Sequence, residues 1–424
     1  MSGTLLALTA ALGLGADWPR LLGPAADGSS PETGLIAPWP KAGLRQLWDC
    51  PLGVGYAPPV VAGGKLFHFD RFGDAVRLTC RDAATGAEQW KTEYPTAYED
   101  MYGYEPGPRA GPVVDGDRVY VHGADGLLAC VSAADGKKVW QLDTRAAYRF
   151  HPNFFGAASV PWVEGELLLV AVGGSPPGPR PTDLREAKPN GSCVVAFDKM
   201  TGKERWRVGD DLASYASPTV ATLGGKRTGL YFARGGLLGF DPVTGAERFR
   251  LPWRAKSLEG VNAANPLVVG DRVFLSECYG PGSVLLDVAG DKPAVVWQDG
   301  DERALQAHWA TPVHHAGFVY GSSGRHANEA DLRCVELATG VVKWRERRTS
   351  RCTLLKADGH LICLGEGGEL RLLKLNPERY DEVSRSPLPG FGYPCWAPPV
   401  LSDGRLYVRG RGEGGNRMAC YALK

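Results

Sequence analysis

The chain has almost no excess of charge: 48 Lys and Arg stand against 47 Asp and Glu over 424 residues. That balance offers no global attraction for nucleic acid and leaves only a local basic patch as a route to one. No apolar run reaches the roughly 20 residues that a helix needs to cross a bilayer. Ten cysteines occur without a CxxC or CC pair, so disulfides are permitted but not demanded. There is no GxSxG, HExxH or EF-hand pattern, which removes the local signs of three common site chemistries. What the chain has in abundance is 56 glycines and 32 prolines. Such punctuation suits many short strands joined by tight turns. Twelve tryptophans argue against a disordered chain.

Residues 5–16 read LLALTAALGLGA and are followed by Asp17-Trp18-Pro19. This short apolar run resembles the core of a secretory signal, with cleavage after Ala16, although Met1–Thr4 carries no Lys or Arg. Three segments are expected: a signal peptide over 1–16, a leader packing on the main fold over 17–43, and one domain over 44–424. No cysteine follows the apolar run until Cys50, so no lipid-bearing N-terminus is expected.

One pattern returns along the chain. A small residue and Pro lead into Val-Val, then Gly and an aromatic strand; later comes a third strand, a Thr-Gly or Asp-Gly turn, and a fourth strand ending in Trp. The first copy reads APPVVAGGKLFHF and VRLTCRDAATGAEQW; the second reads AGPVVDGDRVYVHG and GLLACVSAADGKKVW. Copies end at Trp90, Trp140, Trp206, Phe249, Trp297 and Trp344; the seventh is degenerate and the eighth stops at RMACYALK without a fourth strand. Leu44–Trp48 (LRQLW) has the composition of the missing strand. The 377 residues from Trp48 to Lys424 divide into eight units of about 47, the size of a four-stranded blade with its connections. The expected fold is all-β: an eight-bladed β-propeller of four-stranded antiparallel blades, the last closed by the N-terminal strand. A β-sandwich would not explain the spacing or the terminal half-blade. Cys80, Cys130, Cys334 and Cys420 fall at one place in the repeat and read as small core residues. Cys352 and Cys363 flank a hairpin turn at Asp358-Gly359 and are placed to face each other across it.

In such a blade the first-to-second and third-to-fourth turns share one face, and the other connections share the opposite one. The first set is short throughout; the extra length falls in the second, as in Lys91–Arg109, Gln141–Gly156, Gly173–Asn190, Arg250–Asn262 and Ser322–Asp331. Function tends to sit on loops held by a rigid scaffold. The candidate ligand-binding residues therefore stand at the channel mouth on the long-loop face: Tyr56, Arg109, Asn153, Tyr215, Asn262, His308, Trp309, Arg351 and Trp396 before inner strands, and Glu277, Tyr279, Arg325 and His326 after second strands. The same residues also suit polar plugging of a wet channel. His314-His315 resembles a metal pair, but adjacent strand residues point to opposite faces, so one buried and one exposed ring is expected. Gly365–Gly368 opens no helix and is no dinucleotide loop. The segment 409–417, RGRGEGGNR, reads as a basic solvated loop, and the five-proline stretch 173–190 as a stiff exposed one.

The residues Asp82/Thr85/Gly86/Trp90, Asp135/Gly136/Trp140, Asp198/Thr201/Gly202/Trp206, Asp241/Thr244/Gly245/Phe249 and Thr339/Gly340/Trp344 resemble the tryptophan-docking motif of the PQQ-like (quinoprotein-like) β-propeller repeat family, over about residues 44–424. The leader DWPRLLGPAADGSSPETGL looks like the start of exported, planctomycete-type members. The resemblance implies one of two functions. Quinone-dependent dehydrogenases of the family hold pyrroloquinoline quinone (PQQ) and calcium at the ring centre, with an Asp as base; the outer-membrane assembly lipoprotein is a non-catalytic scaffold. This chain is shorter than a large quinone alcohol dehydrogenase and lacks the adjacent cysteine pair that covers the quinone. Only Glu277 and Asn262 come near a calcium set. It also lacks the lipid-bearing cysteine of the scaffold. The expectation is an exported or periplasmic, monomeric, non-catalytic propeller that binds a protein, peptide or envelope polymer, with no cofactor, nucleic acid or membrane span. The alternative is a PQQ- or metal-dependent oxidoreductase acting on a sugar, alcohol or amine at the central channel.

Overall fold

The structure, a computed structural model, describes residues 16–151, 154–178, 186–258, 260–290 and 292–424. Most of the apolar run at 5–16 lies outside these residues. The chain opens with β1 (Gln46–Pro51) and then lays down blades in order. Blade 1 holds β2 (Val60–Ala62), β3 (Lys65–Phe72), β4 (Ala75–Asp82) and β5 (Glu88–Pro95). Blade 2 holds β6 (Val113–Asp115), β7 (Arg118–His122), β8 (Leu127–Ser132) and β9 (Lys138–Asp143), followed by the short helix α1 (Thr144–Tyr148). Blade 3 holds β10 (Trp162–Glu164), β11 (Leu167–Ala171), β12 (Val194–Asp198) and β13 (Glu204–Val208); blade 4 holds β14 (Thr219–Leu223), β15 (Lys226–Phe232), β16 (Gly236–Phe240) and β17 (Glu247–Pro252). Blade 5 holds β18 (Leu267–Val269), β19 (Arg272–Glu277), β20 (Gly282–Asp287) and β21 (Ala294–Gln298); blade 6 holds β22 (Val313–His315), β23 (Phe318–Ser323), β24 (Asp331–Glu336) and β25 (Val342–Arg347). Blade 7 holds β26 (Cys352–Ala357), β27 (His360–Gly365), β28 (Glu369–Lys374) and β29 (Glu382–Pro387), and blade 8 holds β30 (Val400–Ser402), β31 (Arg405–Gly412) and β32 (Gly415–Ala422).

Each blade is a four-stranded antiparallel sheet, and blade 8 takes β1 as its outer strand. The eight-bladed propeller and its closure by the N-terminal strand are as the repeat predicts. The closing strand sits two residues later than Leu44–Trp48: Trp48 pairs with Cys420 and Cys50 with Met418.

No blade carries a complete core of its own. The apolar clusters lie between neighbours, as where Val60, Phe67 and Leu78 of blade 1 pack with Val119, Val121 and Val131 of blade 2. Middle strands are buried on both faces and outer strands alternate, as in β9, whose pattern is half-exposed. The outer-strand tryptophans reach across the gaps. Trp48, Trp90, Trp140, Trp206, Trp297 and Trp344 each donate from Nε1 to a carbonyl of the following blade, at 2.8 to 3.3 Å. In every receiving blade but blade 7 the accepting turn carries a glycine, and the position has to be one. At Gly86, with φ +76°, a Cβ would come within 2.7 Å of the Trp48 ring. Phe249 has no side-chain N–H to give to blade 5.

Two-residue turns such as 63–64, 116–117 and 358–359 close one face, while connections such as 96–112 and 144–161 rise from the other. The leader crosses the short-turn face. Trp18 pairs with Val61 of β2, the Pro19 carbonyl accepts from Val114 of β6, and Arg20 stacks on Trp162 of β10. The strand then bridges the ring: Gly28 and Ser30 bond with Lys356 of β26, and Ile36 donates to Leu423. The leader thus ties inner strands on both sides of the channel and closes that end.

Three local expectations are corrected. Segment 409–417 is not a solvated loop but the tip half of the β31–β32 hairpin; Arg409 is buried, and its guanidinium donates to the carbonyls of Ala57, Phe69, Gly53 and Gly55. His314 and His315 are both half-buried rather than split, since the short β22 lies at the channel wall. Cys352 and Cys363 are free, as are the other eight cysteines; Cys363 lies opposite Leu354, so the two thiols meet on a diagonal.

Candidate functional site

At the long-loop end of the channel lies a cavity of about 690 Å³. The approach to every inner strand contributes to its wall: Tyr56 and Pro58, Arg109, Phe154 with Phe155, Tyr215 and Ser217, Val261 with Ala263 and Asn265, His308–Thr311, Arg351, and Trp396 with Pro398. This follows from the repeat, because the small-residue-Pro segment that starts each inner strand must turn at the rim. Leu21 and Leu22 of the leader line the opposite end, so the channel becomes a pocket with one opening.

Ten of the candidate residues stand on this wall: Tyr56, Arg109, Tyr215, Tyr279, His308, Trp309, Arg325, His326, Arg351 and Trp396. Asn153 lies outside the described residues. Asn262 and Glu277 are not at the mouth. Asn262 is 2% exposed between the lining residues Val261 and Ala263; its side-chain amide donates to the Ala233 carbonyl at 2.6 Å and its backbone carbonyl accepts from the backbone amides of Tyr215 and Ala216. Glu277 is 1% exposed and accepts from the Tyr279 amide at 2.9 Å. Both brace the wall from behind.

Sequence reasoning missed Tyr102, Tyr104, Phe154 and Phe155, which complete an aromatic belt. Ring centroids lie 4.9 Å apart for Tyr56 and Trp396, 5.8 Å for Tyr104 and Trp396, 5.6 Å for Tyr104 and Phe155, and 5.5 Å for Phe155 and Tyr215. Trp309 joins through Trp396 at 5.6 Å. The clue was the density of Tyr in the long connection after β5. Tyr215 is fixed by accepting from the amides of Phe154 and Phe155, each at 2.9 Å.

A polar chain backs one side. Arg351 pairs with Glu366 at 2.7 Å, and the Trp396 indole donates to the same carboxylate at 3.0 Å. Burial acts to raise the Glu366 pKa, but the hydrogen bonds and charge of Arg351, with the indole, outweigh it and hold it below the usual range. Arg351 also donates to His308 Nδ1 at 3.2 Å. Burial, reinforced by Arg351 and Arg325, pushes the His308 pKa down to about 3, so the ring is neutral at physiological pH. Across the cavity Arg109 pairs with Asp100 at 2.5 Å. Burial pushes Glu277 up to about 7, and its Oε2 is buried with no hydrogen-bond partner. No carboxylate lines the cavity among the described residues, and none of them forms a group of three His, Cys, Asp or Glu that could hold a metal. No described helix is long and apolar enough to cross a membrane.

The family model described as outer membrane protein assembly factor BamB matches residues 40–178 and 154–346. Quinohemoprotein alcohol dehydrogenase ADH-IIG of Pseudomonas putida is 30% identical over 153 residues, 36% of this chain and 19% of that protein. This chain spans about a fifth of the length of the curated relatives it matches. Among solved structures, BamB from Moraxella catarrhalis superposes with a TM-score of 0.61 at 14% identity, over 89% of this chain and 97% of that one. Quinohemoprotein alcohol dehydrogenase from Comamonas testosteroni superposes with a TM-score of 0.66 at 14% identity, over 96% and 80%. Both show the shared fold.

The calcium-bound quinone implied by the family resemblance does not fit these residues. Calcium takes roughly six to eight oxygen ligands, carboxylates prominent among them. The wall supplies no carboxylate among the described residues; the acids behind it are taken up, Asp100 by Arg109 and Glu366 by Arg351, and Glu277 accepts from the Tyr279 amide.

Proposed function

This chain belongs to the β-propeller family described as outer membrane protein assembly factor BamB, and on that premise we propose that it is an exported, non-catalytic binding module. Its long-loop face holds a protein, peptide or envelope-polymer partner. The observation that carries this reading is the aromatic cavity and the apolar rim around it. Met101, Tyr102, Tyr104 and Tyr393 are exposed there, and exposed apolar groups gathered round a pocket are the usual mark of a contact surface. Fold alone does not transfer a cofactor.

The test is site-specific photo-crosslinking in envelope fractions. A crosslinker at Met101 or Tyr393 should yield discrete adducts, and one at Val243, exposed on the turn face, should not. Adducts of equal strength from both faces would defeat the assignment of the working face.

A second reading is an oxidoreductase dependent on a quinone or metal, acting on a sugar, alcohol or amine. The match to an alcohol dehydrogenase and the buried, proton-holding Glu277 beside the cavity favour it; the carboxylate-free wall weighs against it. Calorimetric titration with PQQ and calcium separates the two. Saturable binding at micromolar concentration or below would displace the scaffold reading.

A further inference from the structure

The cavity is chemically lopsided. Three arginines reach a wall of aromatic and aliphatic groups that holds no carboxylate among the described residues. Two of the three are spent: Arg109 on Asp100 and Arg351 on Glu366. Arg325 is exposed at the mouth, 4.6 Å above the Tyr279 ring, and has no acidic partner within ion-pair distance among the described residues.

The neighbouring Tyr279 hydroxyl is oriented by elimination. A guanidinium only donates, so His308 Nδ1 accepts from Arg351. The neutral ring then carries its proton on Nε2, which faces Tyr279 Oη at 3.1 Å. Tyr279 accepts that proton's hydrogen bond and keeps its own O–H to give. Arg325 also gives one hydrogen bond to the Tyr279 oxygen, so a guanidinium with further N–H groups to give and a hydroxyl with its O–H to give stand side by side. Such a pair suits a planar anion.

The surroundings say what carries the anion. Tyr102 packs on Phe154 and Phe155, and both Tyr104 and Tyr393 pack on Trp396, with centroids at 5.7 to 5.8 Å. The belt inside the cavity thus continues onto the exposed rim. A small ligand confined to the cavity would leave that rim in water. A chain entering by its end would cover both.

We propose that the cavity receives the C-terminal residue of a partner polypeptide. The terminal carboxylate sits on Arg325 and Tyr279, an apolar or aromatic side chain lies against the Phe155–Tyr215 belt, and the preceding residues cross the Tyr102–Tyr104–Tyr393 rim. Capture of a terminal carboxylate is a recurrent mode of peptide recognition. The inference rests on the reading of the long-loop face as a protein-binding surface.

The test is calorimetry on the full chain with acetylated tetrapeptides ending in Phe, Tyr, Trp or Leu, each as free acid and as C-terminal amide, beside 3-phenylpropionate and glucuronate. The expected result is a free acid binding at least about 10-fold tighter than its amide, a factor within reach of one charge-assisted contact. Arg325→Gln should erase that difference, and Tyr279→Phe should reduce it several-fold. Tyr104→Ala should weaken acid and amide alike. Equal binding of acid and amide overturns the terminal anchor but leaves a peptide-binding face. Binding of 3-phenylpropionate or glucuronate as tight as any peptide overturns the proposal in favour of a small carboxylate. If no peptide binds, the terminal anchor falls; if Met101 and Tyr393 also fail to crosslink, the reading of the face falls with it.

Discussion

Glu277 shows how one residue at the back of the site governs the response of the fold to pH. It is buried, offers Oε1 to the Tyr279 amide, and leaves Oε2 without a partner. Burial lifts its folded pKa to about 7, whereas a free Glu titrates near 4.3. Between about pH 4.5 and 7 the unfolded chain releases this proton and the folded chain keeps it. Stability therefore falls as pH rises through that window. Glu277→Gln keeps an acceptor for the Tyr279 amide and removes the titration. The variant should be more stable than the parent above pH 7, by up to about 3–4 kcal/mol from the size of the shift, and the two should converge near pH 4. Urea midpoints at pH 4.5, 6 and 8 measure this. Midpoints that differ by the same amount at all three would show that Glu277 is not a neutral acid in the fold. His308 contributes with the opposite sign: burial depresses its pKa, so the stability it contributes is fully present above about pH 6.5 and is lost as pH falls toward 3.

At the scale of the element, the leader decides whether the channel is a pocket or a pore. Trp18 is 3% exposed and packs on Gly23, where a Cβ would come within 2.9 Å of the ring. Its backbone bonds to Val61, and the next turns of the leader hold Val114 and Lys356. Trp18→Ala should cost about 3 kcal/mol or more, as for other buried aromatics truncated to Ala. Beyond the loss in denaturant midpoint, the amides of Val61, Val114 and Lys356 should exchange faster while those of the middle strands stay protected. Uniform loss of protection would mean that the leader is part of the ring's core rather than a plug on it. The blades were legible in the sequence because the same turns and apolar alternation recur in each copy. The leader occurs once and has no periodicity, so nothing in its residues showed that Leu21 and Leu22 would floor the cavity. The site was legible in the same uneven way. Residues at a fixed offset before inner strands, such as Tyr56, Tyr215, Trp309 and Trp396, reach the wall because the repeat places them. Tyr102, Tyr104 and Phe155 sit on connections with no repeat, and Asn262 and Glu277 turn inward to satisfy backbone groups that only the fold brings near.

For the whole molecule, everything at the channel mouth depends on the ring being closed. Eight approach segments form one wall only if blade 8 is fixed to blade 1, and that joint is the pairing of β1 with β32. The joint is well supplied: Trp48 stacks near Tyr407 at 5.9 Å while its indole bonds to Ala83 of blade 1, and Tyr407 donates to the same carbonyl at 3.0 Å. Cys50 lies directly opposite Met418 in this pair, and both are buried. Met418→Cys therefore places two thiols on facing positions of adjacent antiparallel strands, close to disulfide reach. A bond there would cross-link nearly the whole chain into one loop. The loop-closure argument gives a gain of up to about 6 kcal/mol for so long a loop, and engineered bridges commonly deliver less. The expected outcome is a rise in denaturant midpoint for the oxidised variant that vanishes in reductant, with the reduced variant as its own reference. Oxidation should leave the tryptophan fluorescence of the folded state unchanged, since the joint is already formed. Thiols at 50 and 418 that stay free under an oxidant would show the ring open at this seam, and the common wall of Tyr56, Arg351 and Trp396 would come apart with it.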